Sequence, residues 1–166
     1  MTEEKDTTAL SSAVFDLWKM TGKVSELQVY GWSMRPLIDY GDTVVVKHTL
    51  DGIRAGSIIA FKRGHRIIIH RVLKRMNVGS ETVYINKGDA NVRRDPLMRE
   101  RAVLGRVVSI VKKGGKRIDV ETTFWHFVGY SMIFLGVATS VVPESWFELR
   151  FVKVFKRVVG RIVCIV

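Results

Sequence analysis

Between Leu27 and Glu121 the chain alternates short β-branched runs with Gly- and Asp-containing breaks, a pattern that predicts a compact, mainly β and mostly antiparallel domain. The expected strands are Thr43 to Lys47, Ser57 to Phe61, Arg66 to Leu73, Thr82 to Asn86, Val103 to Val111 and Arg117 to Glu121. Turn chemistry falls between the runs, at Tyr40-Gly41-Asp42, Asp51-Gly52, Arg63-Gly64, Asn77-Val78-Gly79 and Gly114-Gly115. Before this region, Leu10, Val14, Leu17 and Trp18 recur near helical spacing and the pattern stops at Gly22, predicting a short helix over Thr7 to Met20.

After it the periodicity changes again. From Thr122 to Pro143 the chain holds no Asp, Glu, Lys or Arg, and Phe124, Trp125, Phe127, Ile133, Phe134 and Leu135 make the stretch apolar. It approaches the length of a membrane span, although Gly129, Ser131, Gly136, Thr139 and Ser140 dilute it; a buried helical hairpin is the alternative. Beyond Pro143, Arg150, Lys153, Arg157 and Arg161 share one helical face while Phe147, Phe151, Val154, Phe155, Val158 and Ile162 share the other. Such a helix either lies in a membrane interface or covers a surface of the domain. The expected organisation is therefore an N-terminal helical segment (1–26), a β domain (27–121) and an apolar and basic amphipathic helical tail (122–166).

A chain of 166 residues with 47% apolar content can bury one core, but hardly two full domains. Its net charge of +11 suits an anionic membrane surface, an acidic peptide or nucleic acid, and by itself does not choose among them. The opening residues, Thr2, Glu3, Glu4, Lys5 and Asp6, lack the cationic start of a secretory signal, so no cleavable signal is expected here. With Cys164 as the single cysteine, no intramolecular disulfide can form. His48 and His65 lie in basic stretches expected to be exposed, and neither they nor His126 is spaced with acidic residues as metal ligands would be. No metal and no cofactor is expected.

The residues with chemical promise come in order along the chain. Gly31-Trp32-Ser33-Met34-Arg35-Pro36 leads into Gly41-Asp42 and a valine run; Gly56 opens a strand; His70-Arg71-Val72 follows, and then Lys87-Gly88-Asp89-Ala90-Asn91 with Asp95. A serine hydroxyl is a weak nucleophile near neutral pH and needs an adjacent base, a role imidazole fills, and a carboxylate then fixes the imidazole tautomer. Taken alone, Ser33 reads as a turn residue, His70 as a core histidine on a strand, and Asp89 as a turn aspartate after glycine.

The ordered set resembles the serine peptidase superfamily of signal peptidase I and the LexA-type repressors, over roughly Leu27 to Lys113. The histidine in a His-Arg-Val context is similar to the archaeal and endoplasmic-reticulum form of signal peptidase, in which histidine replaces the usual lysine base. In that form a Lys-Gly-Asp-x-Asn motif precedes a second aspartate six residues after the first, the spacing of Asp89 and Asp95. The resemblance implies a serine endopeptidase with Ser33 as nucleophile and His70 as general base. Asp95 is favoured as the triad acid, with Asp89 either sharing that role or holding the loop. It also implies a peptide or precursor protein bound as an extended strand. Two departures stand out. Many such peptidases place an oxyanion-binding serine two residues before the nucleophile, where this chain has Gly31, so the amides of Ser33 and Met34 would serve instead. They also carry a membrane anchor before the serine, whereas the candidate span here follows the β domain.

Two other classes compete with this reading: a non-enzymatic basic module, and a self-cleaving regulator of LexA type. The cluster Lys62, Arg63, Arg66, Arg71, Lys74 and Arg75 suits phosphates. Only one short helix fits before Leu27, too little for a helix-turn-helix, so no nucleic acid is expected. Membrane association through residues 122–166 is expected, with a cytoplasmic location as the alternative.

Overall fold

The computed structural model describes residues 17–141 and 157–158. Residues 17–21 are helical, and eight strands follow: β1 Val24–Gln28, β2 Thr43–Lys47, β3 Ile58–Arg63, β4 Arg66–Val78, β5 Glu81–Lys87, β6 Met98–Arg99, β7 Val103–Val111 and β8 Arg117–Asp119. A short 3-10 turn, Glu100–Ala102, joins β6 to β7, and a helix, α1, spans Thr123–Val141. The sheet is antiparallel throughout, ordered β1-β2-β7-β3-β4-β5-β6, with β8 paired to β7. The fold is thus the mainly β domain that the periodicity predicts.

Strand β3 explains how one sheet serves two cores. Its side chains alternate, so Ile58 and Ala60 enter a cluster with Leu37, Val44, Val46 and Ile110, while Ile59 and Phe61 enter another with Val72, Tyr84 and Val103. Both faces of this strand are buried, which is why its sequence is a continuous apolar run and not an alternation.

The differences from the sequence pattern have local causes. Strand β1 begins at Val24, before the expected start of the β region at Leu27. It is an edge strand paired only to β2, and its half-polar sequence carries little apolar signal. β4 continues to Val78, five residues past Leu73, because Lys74 to Val78 pair with Ile85 to Glu81 in a hairpin although most of these β4 side chains are exposed. Backbone pairing, invisible to hydrophobic patterning, extends that strand. β6 is two residues long and was not anticipated. His48, expected on an exposed stretch, is fully buried, whereas His65 is exposed.

The apolar stretch after Glu121 is helical and lies against the β domain. Trp125, Val128 and Met132 fall on one face of α1 and are buried in the cluster that contains Leu37, Ile58 and Ile118. Close approach is allowed by Gly129, where a Cβ would stand 3.1 Å from the Gly56 carbonyl oxygen and 3.2 Å from Arg71 Nη1. Burial of three such side chains stabilises the contact by roughly 1.5–3 kcal/mol each. The opposite face leaves Phe124, Phe127, Tyr130 and Phe134 exposed. Among the described residues no helix is long and apolar enough to cross a membrane. This corrects the reading of 122–143 as a single span: the helix is amphipathic in use, with one face already spent on the core. The helix expected over Thr7 to Met20 lies outside the described residues except for its last turn. The basic amphipathic tail lies outside them too, save for Arg157 and Val158, which are helical and exposed.

Candidate active site

Ser33 sits in a turn between β1 and β2. The turn is closed by the Arg35 N–H donating to the Trp32 carbonyl (3.2 Å) and the Ile38 N–H donating to the Met34 carbonyl (3.0 Å). Met34, Leu37 and Ile38 are buried and pin it to the core, which leaves the half-buried Ser33 lining a cleft. The Gly41-Asp42 turn that follows has a structural task. The buried Asp42 carboxylate accepts from the Asp39 N–H (2.7 Å), from Lys112 Nζ (2.5 Å) and from the Lys113 N–H (3.2 Å), and Lys112 Nζ also donates to the Leu37 carbonyl (3.1 Å). The serine turn is thereby tied to β7 at its far end.

His70 comes from β4 and is buried, with Nε2 3.0 Å from Ser33 Oγ and Nδ1 2.5 Å from Asp95 Oδ2. An ionised carboxylate only accepts, so Nδ1 carries the proton and donates to Asp95, leaving Nε2 to accept from the Ser33 hydroxyl. Burial pushes the Asp95 carboxyl up, but the hydrogen bond and charge of His70, followed by those of Arg63, outweigh it and hold the group below the ordinary carboxylate value. Asp95 is positioned by its own backbone, whose N–H donates to the Asn86 carbonyl (2.9 Å).

Asp89 points elsewhere. Its two oxygens accept from Arg71 Nε (2.9 Å) and Nη2 (2.7 Å), and Arg71 Nη1 donates to the Gly56 carbonyl (2.9 Å). Both side chains of this fork are almost wholly buried, at 3% and 4% exposure, so each charge depends on the other. The sequence motif Lys87-Gly88-Asp89-Ala90-Asn91 also carries a contact that sequence reading missed. The Ala90 N–H donates to the Ser33 carbonyl (2.8 Å). A Cβ on Gly88 would lie 2.6 Å from that carbonyl oxygen and 2.9 Å from His70 Nε2. Only a residue without a side chain lets this loop pass so close to the serine and the histidine.

A cleft of about 590 Å³ opens beside Ser33 and His70, walled on one side by Val29 and Tyr30 and on the other by Arg66 to Ile69 of β4. Over Arg66 to His70, β4 is paired with β3, whereas its pairing with β5 begins only at Arg71. Among the described residues, one backbone edge of that stretch therefore faces the cleft without a strand partner. A second cavity, of about 510 Å³, is lined by Arg54, Arg71, Arg106 and Trp125 and contains none of Ser33, His70 and Asp95.

The chain holds another serine–histidine pair, and the contrast is instructive. His48 Nδ1 donates to the Leu104 carbonyl (3.0 Å), and Nε2 accepts from Ser25 Oγ (2.7 Å). Burial pushes this imidazole below its ordinary value; the bond to Leu104 opposes that, and Lys19 and Lys23 reinforce it. Its Nδ1 proton goes to a backbone carbonyl, where that of His70 goes to a carboxylate. Among the described residues no cluster of His, Cys, Asp and Glu is suited to a metal ion.

Residues 1–108 match the model of the family described as Peptidase S24-like. The chain is also similar to the signal peptidase complex catalytic subunit SEC11 of Colletotrichum graminicola, with 27% identity over 142 residues, 75% of this chain and 74% of that one. It resembles the sec11 subunit of the same description from Sclerotinia sclerotiorum at 25% identity over 142 residues, 80% of this chain and 75% of that one.

Proposed function

The chain belongs to the peptidase S24-like family, and from that premise we propose that it is a serine endopeptidase acting on a peptide or precursor protein, in the manner of a signal peptidase. The observation that carries the reading is the continuous relay from Ser33 Oγ to His70 Nε2 (3.0 Å) and from His70 Nδ1 to Asp95 (2.5 Å), beside an open cleft.

Ser33 Oγ attacks the scissile carbonyl carbon and its proton passes to His70 Nε2. The imidazolium is stabilised by Asp95, and the same proton is then given to the leaving amine as the C–N bond breaks. Water, deprotonated by His70, hydrolyses the resulting acyl ester and returns Ser33 to its starting state. The amides of Ser33 and Met34 are assigned to the oxyanion, since the turn that carries them bends at the nucleophile. Asp89 is assigned to the loop and not to the triad, because its carboxylate is fully engaged by Arg71.

The substrate adds as an extended strand to the free edge of Arg66 to His70, which delivers its backbone toward Ser33. Ile67 and Ile69 beside Val29 give the cleft apolar walls, in keeping with small uncharged side chains near the cleaved bond. The exposed aromatic face of α1 supports association with a membrane surface, the rings lying at the headgroup level. The test is cleavage of a quenched-fluorescence peptide with alanine one and three residues before the scissile bond, by the wild type and by Ser33→Ala. Cleavage that survives the substitution overturns the assignment.

A further inference from the structure

The triad aspartate has a second partner that no family motif points to. Arg63, the last residue of β3, places Nη2 3.1 Å from Asp95 Oδ1, the oxygen that His70 does not use. Its side chain is 43% exposed whereas that of Asp95 is 9% exposed, so a solvent-reaching cation backs a nearly buried carboxylate. The guanidinium also lies 5.4 Å from the Phe61 ring, and that ring meets the His70 ring edge-on at 6.1 Å. Phe61 and Arg63 alternate onto one face of β3, and His70 stands across from Ile59 on the same face of β4. Two groups of one sheet face, His70 and Arg63, therefore converge on a carboxylate that a separate loop delivers, with Phe61 beside both.

We infer that Arg63 is a positioning residue: it fixes the rotation of Asp95 and sets the acidity at which His70 stops serving as the base. The inference rests on the serine peptidase reading above. Fixing works because a carboxylate with one oxygen on His70 and the other in place on Arg63 cannot turn about its terminal bond. The electrostatic part works through charge, since a proton added to His70 creates a cation facing Asp95, and Arg63 opposes that second positive charge. The other charged groups near His70 are Asp95 itself, Arg66 on the same face of β4 and in the same cleft, and, on the opposite face, the mutually neutralising Arg71 and Asp89 with Lys87 in register with Arg71. Arg63 and Arg66 are the exposed cations of this set, and Arg63 is the one in contact with Asp95, so its influence is one that salt can screen.

The experiment measures covalent labelling of the full chain by a fluorophosphonate across pH, with Ser33→Ala as the blank. Arg63→Gln should move the acid-side fall in labelling to higher pH by about half a unit, the size expected of one partly exposed charge a few ångströms away. Arg63→Lys should keep the wild-type position. High salt should move the wild-type fall toward that of the Gln variant and move the variant less. A Gln variant whose fall coincides with the wild type, or lies lower, overturns the inference. So does a wild-type fall that salt does not move, and that arm holds even if the Gln variant fails to fold. Labelling that persists in Ser33→Ala instead sinks the underlying serine peptidase reading, so the two failures are told apart.

Discussion

His70 and Arg71 are consecutive residues of β4, yet each holds a different carboxylate: His70 Nδ1 meets Asp95 at 2.5 Å, and Arg71 forks onto Asp89 at 2.7 and 2.9 Å. Strand alternation sends neighbours to opposite faces, so two aspartates six residues apart in one loop end in different environments. One lies in line with His70 and Ser33; the other lies in a buried ion pair.

Substitutions at these two aspartates should therefore fail differently. Asp95→Asn leaves His70 without the acceptor that fixes its tautomer and should lower turnover by about 10³- to 10⁴-fold, with a smaller loss of stability than at Asp89. Asp89→Asn should cost roughly 3–5 kcal/mol in a urea denaturation series, because it strands a buried guanidinium. Equal effects on turnover and stability at both positions would contradict the division.

Ser33→Ala and His70→Ala should each reduce peptide cleavage by about 10⁴-fold or more, and the double variant should be scarcely worse than either. Additive losses would mean that the two side chains do not act as one unit. The measurement is single-turnover cleavage with excess protein.

Gly88→Ala tests the close passage of the loop beneath the site. Its methyl group would stand 2.6 Å from the Ser33 carbonyl oxygen and 2.9 Å from His70 Nε2, so one of the three must shift. A displacement near 1 Å should cost about 10²-fold in turnover. A fully active variant would show that the loop can retreat without disturbing the serine.

Acid should weaken the fold in two separate windows. His48 is held below the ordinary imidazole value when folded, so the unfolded chain binds its proton more readily. Stability is then present above about pH 6.5 and is lost as pH falls from there toward the folded value. Asp95 is also depressed; its contribution is present above the ordinary carboxylate value and is lost as pH falls through the lower folded one. His48→Gln should flatten the first slope and leave the second, as measured by denaturation midpoints across pH. An unchanged slope between pH 7 and 5 in the variant would show that His48 is not its source.

Ending the chain at Thr122 should destabilise the β domain. Trp125, Val128 and Met132 would be removed from the cluster they share with Leu37, Ile58 and Ile118, at a cost of several kcal/mol by area. Trp125→Ala alone should cost about 3–5 kcal/mol. A truncated chain with the full-length denaturation midpoint would mean that α1 contributes nothing to the core.

Much of the architecture was legible in the order of residues. The strands at Thr43–Lys47 and Val103–Val111 appear at their full extent as apolar, β-branched runs between turn residues, because burial of alternating side chains is written in composition. The serine turn and the His-Arg-Val strand are legible for the same local reason, whereas the candidate set Ser33, His70, Asp89 and Asp95 rests on the ordered motifs and their family resemblance, since Ser33, His70 and Asp89 taken alone read as structural. Edge strand β1 and the outer half of β4 are not, since they are held by backbone pairing, which any side chain tolerates. The resemblance favours Asp95 over Asp89 as the partner of His70, but no sequence feature says that Asp89 is taken by Arg71, that Arg63 stands behind Asp95, that His48 is buried on Ser25, or that the apolar stretch at Thr122 packs one face on the core. Each of those depends on which residues, distant along the chain, the sheet brings to the same side. Spacing fixes what a segment offers; the partner across the fold decides what each side chain does.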